Sequence, residues 1–231
     1  MAQKVKIKYV YDMVNDLLSK NNGKYITKDE LNRHAQTSSL ELFDELVGVT
    51  NRRLNQQTLV NYGRTQKTDD RLKPFKKTSP AISVVDGEFT MPTDVAVILN
   101  VLTTDNRAIK PIDEDRIGTI SDNPFRSPDE EDIYYLEGGE DSPTQLFGLA
   151  DKVKVTYLRK PVTPKYETKE TTITVANRTV TREIYDEANS VDFDWDERQT
   201  LDLVTRILAK VGVSLKDGFV EQMVQVNKNN E

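Results

Sequence analysis

Side chains able to do chemistry are scarce in this sequence, and their spacing excludes most reactions before any fold is considered. There is one histidine, His34, and no cysteine. A histidine-based metal cluster cannot be built within one chain, and thiol nucleophiles, disulfides and zinc–thiolate sites are excluded. His34 lies between Arg33 and Ala35 in a helical pattern and reads as a surface or half-buried structural residue. A serine–histidine hydrolase needs its serine on a sharp turn, and G-x-S-x-G is missing, as are the P-loop and G-x-G-x-x-G.

Carboxylates remain. "DEDRIG", Asp113 to Gly118, begins like a calcium loop, with acids at its first and third positions and glycine at its sixth. Its fifth position is Ile117 and its twelfth is Pro124, where a bidentate glutamate belongs, so the motif fails. "DEED", Asp129 to Asp132, reads as a solvated charge run that binds cations loosely at best. Paired carboxylates for glycoside cleavage stay open from the sequence. The single tryptophan, Trp195, stands at a helix start, where it is expected to staple the turn. No metal or cofactor site is expected.

Charge is distributed unevenly. Asn51 to Lys77 holds eight basic residues against two acids, and Asp105 to Asp141 holds twelve acids against four bases, within a net charge of -6. The bland reading is two solvated loops. The sharper one is complementary surfaces for head-to-tail assembly or for a charged partner. Lys and Arg with Tyr62 and Phe75 also suit non-specific nucleic-acid contact. The acidic total, with an isoelectric point of about 5.1, and the lack of a reading module argue against sequence-specific recognition.

The elements that must position these residues follow from periodicity. Val10, Met13, Val14, Leu17 and Leu18 share one face of a helix from about Lys8 to Lys20, which Asn21, Asn22 and Gly23 stop. Thr27 and Glu30 form a capping box that opens a second helix to about Val47, ended by Gly48 or resumed beyond it. Its inward residues are Leu31, Ala35, Leu42, Phe43, Leu46 and Val47. Strands follow, with a turn at Asp86-Gly87 and further pairs around "DNR" and Ala176 to Arg178. The acidic stretch Asp113 to Asp132 reads as loop. Asp194 or Asp196 is expected to cap a last helix with Leu201, Val204, Ile207, Leu208 and Val211 inward and Gly212 at its end.

Helices, then strands, then a helix indicate an α+β fold. The expected domains are N-terminal helices (1–62), an extended basic arm (63–80), a central antiparallel β region with acidic loops (81–190), and C-terminal helices packed on the N-terminal ones (191–231). The N-terminus has no long apolar run and no small-residue cleavage site, and nowhere do about 18 apolar residues run on. A soluble, non-secreted protein is expected.

"VYDMVNDLLSKNNGKYITKDELNRHA", "FTMPTDVAVILNV", "VKVTYLRKPVTPKY" and "DFDWDERQTLDLVTRILAKVGVSLKD", in that order, resemble phage head-to-tail connector ring proteins. The likeness is to ring proteins of crAss-like bacteriophages and, more distantly, to the tail tubular protein A family of short-tailed phages. It covers most of the chain and is one of pattern and order. It implies a non-enzymatic virion subunit in a homo-oligomeric ring, commonly a dodecamer, assembled in the host bacterial cytoplasm. The implied partners are the portal protein, other connector and tail ring proteins, and genome DNA passing through without sequence recognition.

The candidate interface residues are Arg64, Arg71, Lys73, Phe75, Lys76 and Lys77 in the basic arm, Asp129, Glu130, Glu131 and Asp132 in the acidic stretch, and Arg159 and Lys160. The last two precede Pro161 and Pro164, which lack amide donors and are expected to close off a sheet edge. Tyr62, Leu72 and Phe75 are expected to supply the apolar part of an inter-subunit contact. The alternatives are a soluble carboxylate-based hydrolase, whose acidic loop would line the site, and a non-specific nucleic-acid-binding accessory protein.

Overall fold

The computed structural model describes residues 4–22, 25–56, 70–121, 132–139, 142–175 and 178–212. Two helices open the chain, α1 (Ile7–Asn22) and α2 (Lys28–Gln56). Residues 70–72 are helical and run into a 3-10 turn at Lys73–Phe75. Then come β1 (Lys76–Thr78), β2 (Ile82–Ser83), β3 (Glu88–Phe89), β4 (Val95–Thr103) and β5 (Ala108–Pro111). After α3 (Glu114–Ser121) follow β6 (Tyr134–Leu136), β7 (Thr144–Phe147) and β8 (Lys152–Arg159). The hairpin β9 (Thr168–Val175) and β10 (Arg178–Tyr185) leads to a 3-10 turn at Glu197–Gln199 and to α4 (Thr200–Lys210). The fold is α+β.

The chain divides into two compact units, a helical one from Met1–Pro74 with Pro161–Glu231 and a sheet one from Phe75–Lys160. In the helical unit both ends of the chain share one core. Val10, Val14, Leu17 and Leu18 of α1, Leu31, Ala35, Leu42, Phe43 and Leu46 of α2, and Leu203, Val204, Ile207 and Leu208 of α4 are buried. At 11 residues α4 is marginal alone in water, and burying these stripes together stabilises all three helices. Met13, Val47, Leu201 and Val211 lie at the margin, half-buried.

Local signals act as their chemistry requires. The Thr27 amide donates to Glu30 Oε2 at 3.1 Å and the Glu30 amide to Thr27 Oγ1 at 3.3 Å, closing the capping box. Gly212 ends α4 with φ +83°. Gly48 does not end α2, since one glycine inside a helix costs only about 1 kcal/mol relative to alanine. Asp196 accepts from the Arg198 amide at 3.1 Å and so caps the 3-10 turn. Asp194 is no cap. Buried, it accepts from Lys4 Nζ at 2.9 Å and from the Val162 amide at 3.0 Å. Trp195 does more than staple a turn, for it is wholly buried with Nε1 donating to Ser39 Oγ at 2.9 Å.

In the sheet unit the strand order is β1-β8-β4-β5-β6-β7-β3, with β2 also paired to β8. Asp86 and Gly87 take φ +53° and +77°, and Val85 and Glu88 exchange backbone hydrogen bonds at 2.9 Å in both directions. This tight turn joins β2, beside β8, to β3 at the other end of the order, so the curled sheet is drawn back on itself. Phe89, Val101, Ile109, Ile133, Tyr135, Leu146, Val153, Val155 and Tyr157 fill its inner face.

Four expectations are corrected here. The β region is mixed, because β5 and β6 run parallel. Residues 112–133 between them, which carry α3, provide the long crossover that a parallel pair needs and a hairpin turn cannot. The stretch read as loop from Asp113 thus begins as a helix, with Glu114 and Asp115 in its first turn, where acids are favoured. β8 is not an edge, since β1 and β2 flank it on one side and β4 on the other. Pro161 and Pro164 follow its last residue and end the strand lengthwise. Finally, the β9–β10 hairpin belongs to the helical unit and forms its own two-stranded sheet.

The unit boundaries fall after Pro74 and after Lys160. Within the expected arm 63–80, residues 70–80 are built into the fold, with β1 paired to β8. Residues 57–69, the turn residues 176–177 and the brief resumption after Gly212 lie outside the described residues.

Candidate functional site

The strand pairing gathers candidates that stand far apart in sequence. β1 sets Lys76 opposite Leu158 and Lys77 opposite Tyr157, which brings Lys76, Lys77, Arg159 and Lys160 to one corner of the sheet unit. Asp94, not foreseen as a site residue, organises that corner. Its Oδ2 lies 2.7 Å from Lys77 Nζ, its Oδ1 accepts from the Tyr157 hydroxyl at 2.7 Å, and its carbonyl accepts from the Lys160 amide at 2.8 Å. The Lys77 ammonium, and after it the Tyr157 hydroxyl, hold the Asp94 carboxyl below its ordinary range. Burial, with the hydrogen bond to Asp94 second, pushes the Tyr157 phenol up to about 12. The Arg159 guanidinium lies 5.7 Å from the centre of the Phe75 ring, a cation–π contact.

Two of the four cations are therefore already engaged, and Lys76 and Lys160 remain exposed at the corner. Arg71 is exposed, and Lys73 pairs with Asp70. Phe75 and Leu72 are corrected, for both are buried within the chain and offer no apolar surface to a neighbour. The 3-10 turn that follows Leu72 carries Phe75 inward. Arg64, Tyr62, Asp129, Glu130 and Glu131 lie outside the described residues.

On the acidic side, Asp132 Oδ1 lies 2.7 Å from Lys110 Nζ, which also sits 5.7 Å from the centre of the Tyr134 ring. Asp113, Glu114 and Asp115 at the start of α3, with Glu137 after β6, border an open cavity of about 420 Å³ floored by Tyr135. All four carboxylates are exposed. Because Glu114 and Asp115 are helical, the "DEDRIG" acids follow a helix rather than wrap a cation. Among the described residues, no group of three or more histidine, aspartate or glutamate side chains is placed to hold a metal ion. A second cavity, about 550 Å³, opens where Thr103, Asp105, Arg107, Asp151 and Lys152 meet, with charges of both signs on its rim. His34 is half-buried on α2.

Among the described residues no helix is long and apolar enough to cross a membrane. No protein-family model matches the chain, and no curated protein matches it. The site stands on its own geometry, a surface of fixed charge with cations at one corner and acids around α3. Asp94 could have been suspected only through its partners, because 63 residues separate it from Tyr157.

Proposed function

We propose that this chain is a structural subunit of the ring that joins portal and tail in a short-tailed bacteriophage, akin to the crAss-like ring proteins. In this reading it forms a homo-oligomeric ring, a dodecamer by the resemblance, in the virion. The ring meets the portal protein and other connector rings, and genome DNA passes through its channel without sequence recognition. The observation that carries the reading is the layout of the chain. Both ends build one helical unit, and a sheet unit is inserted between Pro74 and Pro161. Helices from both termini packed together, with a strand region left to face neighbours, is the layout the resemblance implies. The charge pattern supports it, since one chain carries both exposed cations and the exposed acids of α3, as a heterologous contact that closes by rotation requires.

The hydrolase alternative gains little from the α3 cavity. Catalytic sites are usually enclosed and largely apolar, whereas these four carboxylates stand exposed around an open cavity. The test is native mass spectrometry and electron microscopy of the purified chain, alone and with its portal protein. Closed rings stacked on the portal are expected. A strict monomer that never joins a portal would sink the reading.

A further inference from the structure

The β9–β10 hairpin is a ribbon eight residues long on each strand, roughly 25 Å, and it pairs with no other strand among the described residues. An isolated two-stranded ribbon is marginal in water. This one is fixed at its root. Tyr166 stacks on Tyr11 at 4.4 Å between ring centres and meets Tyr185 at 5.1 Å. The ladder continues through the Asp186 amide to the Glu167 carbonyl at 2.9 Å, and Asp186 Oδ2 accepts from Asn189 Nδ2 at 2.6 Å.

The register sorts its residues into two unlike faces. Thr168, Glu170 and Thr172 share a face with Tyr185, Glu183 and Thr181. Lys169 and Thr171 share the other with Ile184 and Arg182. Among its described side chains that second face carries two cations, one isoleucine and no acid. Lys169, Arg182 and Ile184 are exposed, and neither cation is in an ion pair with another described residue.

We propose that this basic face docks on a second copy of the chain, against the acidic surface of Asp113, Glu114, Asp115 and Glu137. The argument for that partner is charge complementarity. The ribbon face has only cations, and the cavity at α3 is bordered by four exposed carboxylates. Ile184, exposed beside Lys169 and Arg182, favours protein over nucleic acid, because a phosphate backbone leaves it uncovered. The contact is heterologous, ribbon to cavity, and so repeats around a ring. It deepens the ring reading and rests on its homo-oligomeric part.

The lack of cysteine makes the test clean. Ile184→Cys and Asp115→Cys, prepared separately and mixed, are expected to give a disulfide-linked dimer under mild oxidation. Lys169→Glu with Arg182→Glu is expected to keep the far-UV spectrum and thermal midpoint while weakening self-association about tenfold or more in sedimentation. If the chain assembles normally but neither effect is seen, the ribbon contact is wrong and the ring reading stands. Cross-linking of Asp115→Cys to Lys76→Cys instead would assign the acidic surface to the basic corner and overturn the proposal. Loss of duplex DNA retention in the charge-reversed chain, with self-association intact, would give the face to nucleic acid. A chain that stays monomeric at every concentration, alone and with its portal, overturns both readings.

Discussion

Tyr157 has its ring in the sheet core and its hydroxyl on Asp94, so its ionisation is tied to folding. Burial raises it to about 12, and burial likewise raises Tyr166 to about 12. A tyrosine in the unfolded chain ionises near 10. A raised folded pKa favours the protonated phenol, so this contribution is fully present below pH 10 and is lost as pH rises through about 12. A spectrophotometric titration of the folded protein is expected to show a late class of phenols, with thermal stability falling across pH 10–12. Tyr157→Phe should shrink that class by one residue, and a titration that completes near pH 10 while the protein stays folded would refute the assignment. For Asp94 the sign is opposite. Its lowered pKa gives stability above its ordinary value of 3.8, lost as pH falls through the folded value. Asp194 is the costlier acid to remove. Asp194→Ala strips a buried acceptor from the Val162 amide and from Lys4, and is expected to cost about 1–3 kcal/mol in urea denaturation. A midpoint equal to that of the parent would show that water replaces the carboxylate. The Thr27–Glu30 capping box was legible because both residues lie in one helical turn. The Asp94–Tyr157 pair was not, because only the sheet brings the two together.

At the scale of elements, the same divide between local and distant explains what was legible. The buried stripes of α1, α2 and α4 follow the 3.6-residue period, and Asp86-Gly87 announces its own turn. Strand order is set by partners far along the chain. Nothing in "VKVTYLR" says that β8 will be flanked on both sides, or that β5 and β6 will run parallel. The acids of "DEDRIG" looked like a loop because charge hid a helix start. Two substitutions test the elements. Leu208 of α4 is fully buried, so Leu208→Asp places an unpaired charge in the shared helical core and is expected to cost several kcal/mol, roughly 4 or more. An unchanged thermal midpoint would mean that α4 does not pack there. Gly87 holds φ +77°, and an added Cβ would lie 3.4 Å from the Leu146 carbonyl oxygen. Gly87→Ala is expected to destabilise by about 1 kcal/mol or more, and Gly87→Asn by less, because asparagine tolerates that backbone region. Equal effects of the two would count against the turn geometry.

For the molecule as a whole, the decisive feature is that one unit interrupts the other. The sequence suggested blocks in series, helices then arm then strands then helices. The last block was expected to return to the first; period and composition did not report that the β9–β10 hairpin would join that helical unit. That return is made by long-range contacts, such as Lys210 Nζ to Glu41 Oε1 at 2.6 Å, the Arg206–Glu45 pair, and the Ile7 amide on Asp192 Oδ1 at 2.9 Å. The inserted sheet unit, Phe75–Lys160, is continuous and has its own core, and its first and last strands are neighbours, with Lys76 opposite Leu158. Paired strands lie about 5 Å apart, so the insert enters and leaves at nearly one point, the arrangement in which insertion disturbs a host least. Phe75–Lys160 expressed alone is therefore expected to fold with its own cooperative transition. The remainder, with a short Gly/Ser linker in place of the insert, should keep the circular dichroism of α1, α2 and α4. Cutting the chain before α4 should instead unfold the helical unit, since α1 and α2 would lose the partner that covers their buried faces. A full-length protein whose calorimetric and van't Hoff enthalpies agree in one transition, together with an unfolded Phe75–Lys160 fragment, would show the two units to be one cooperative body and defeat the insertion argument.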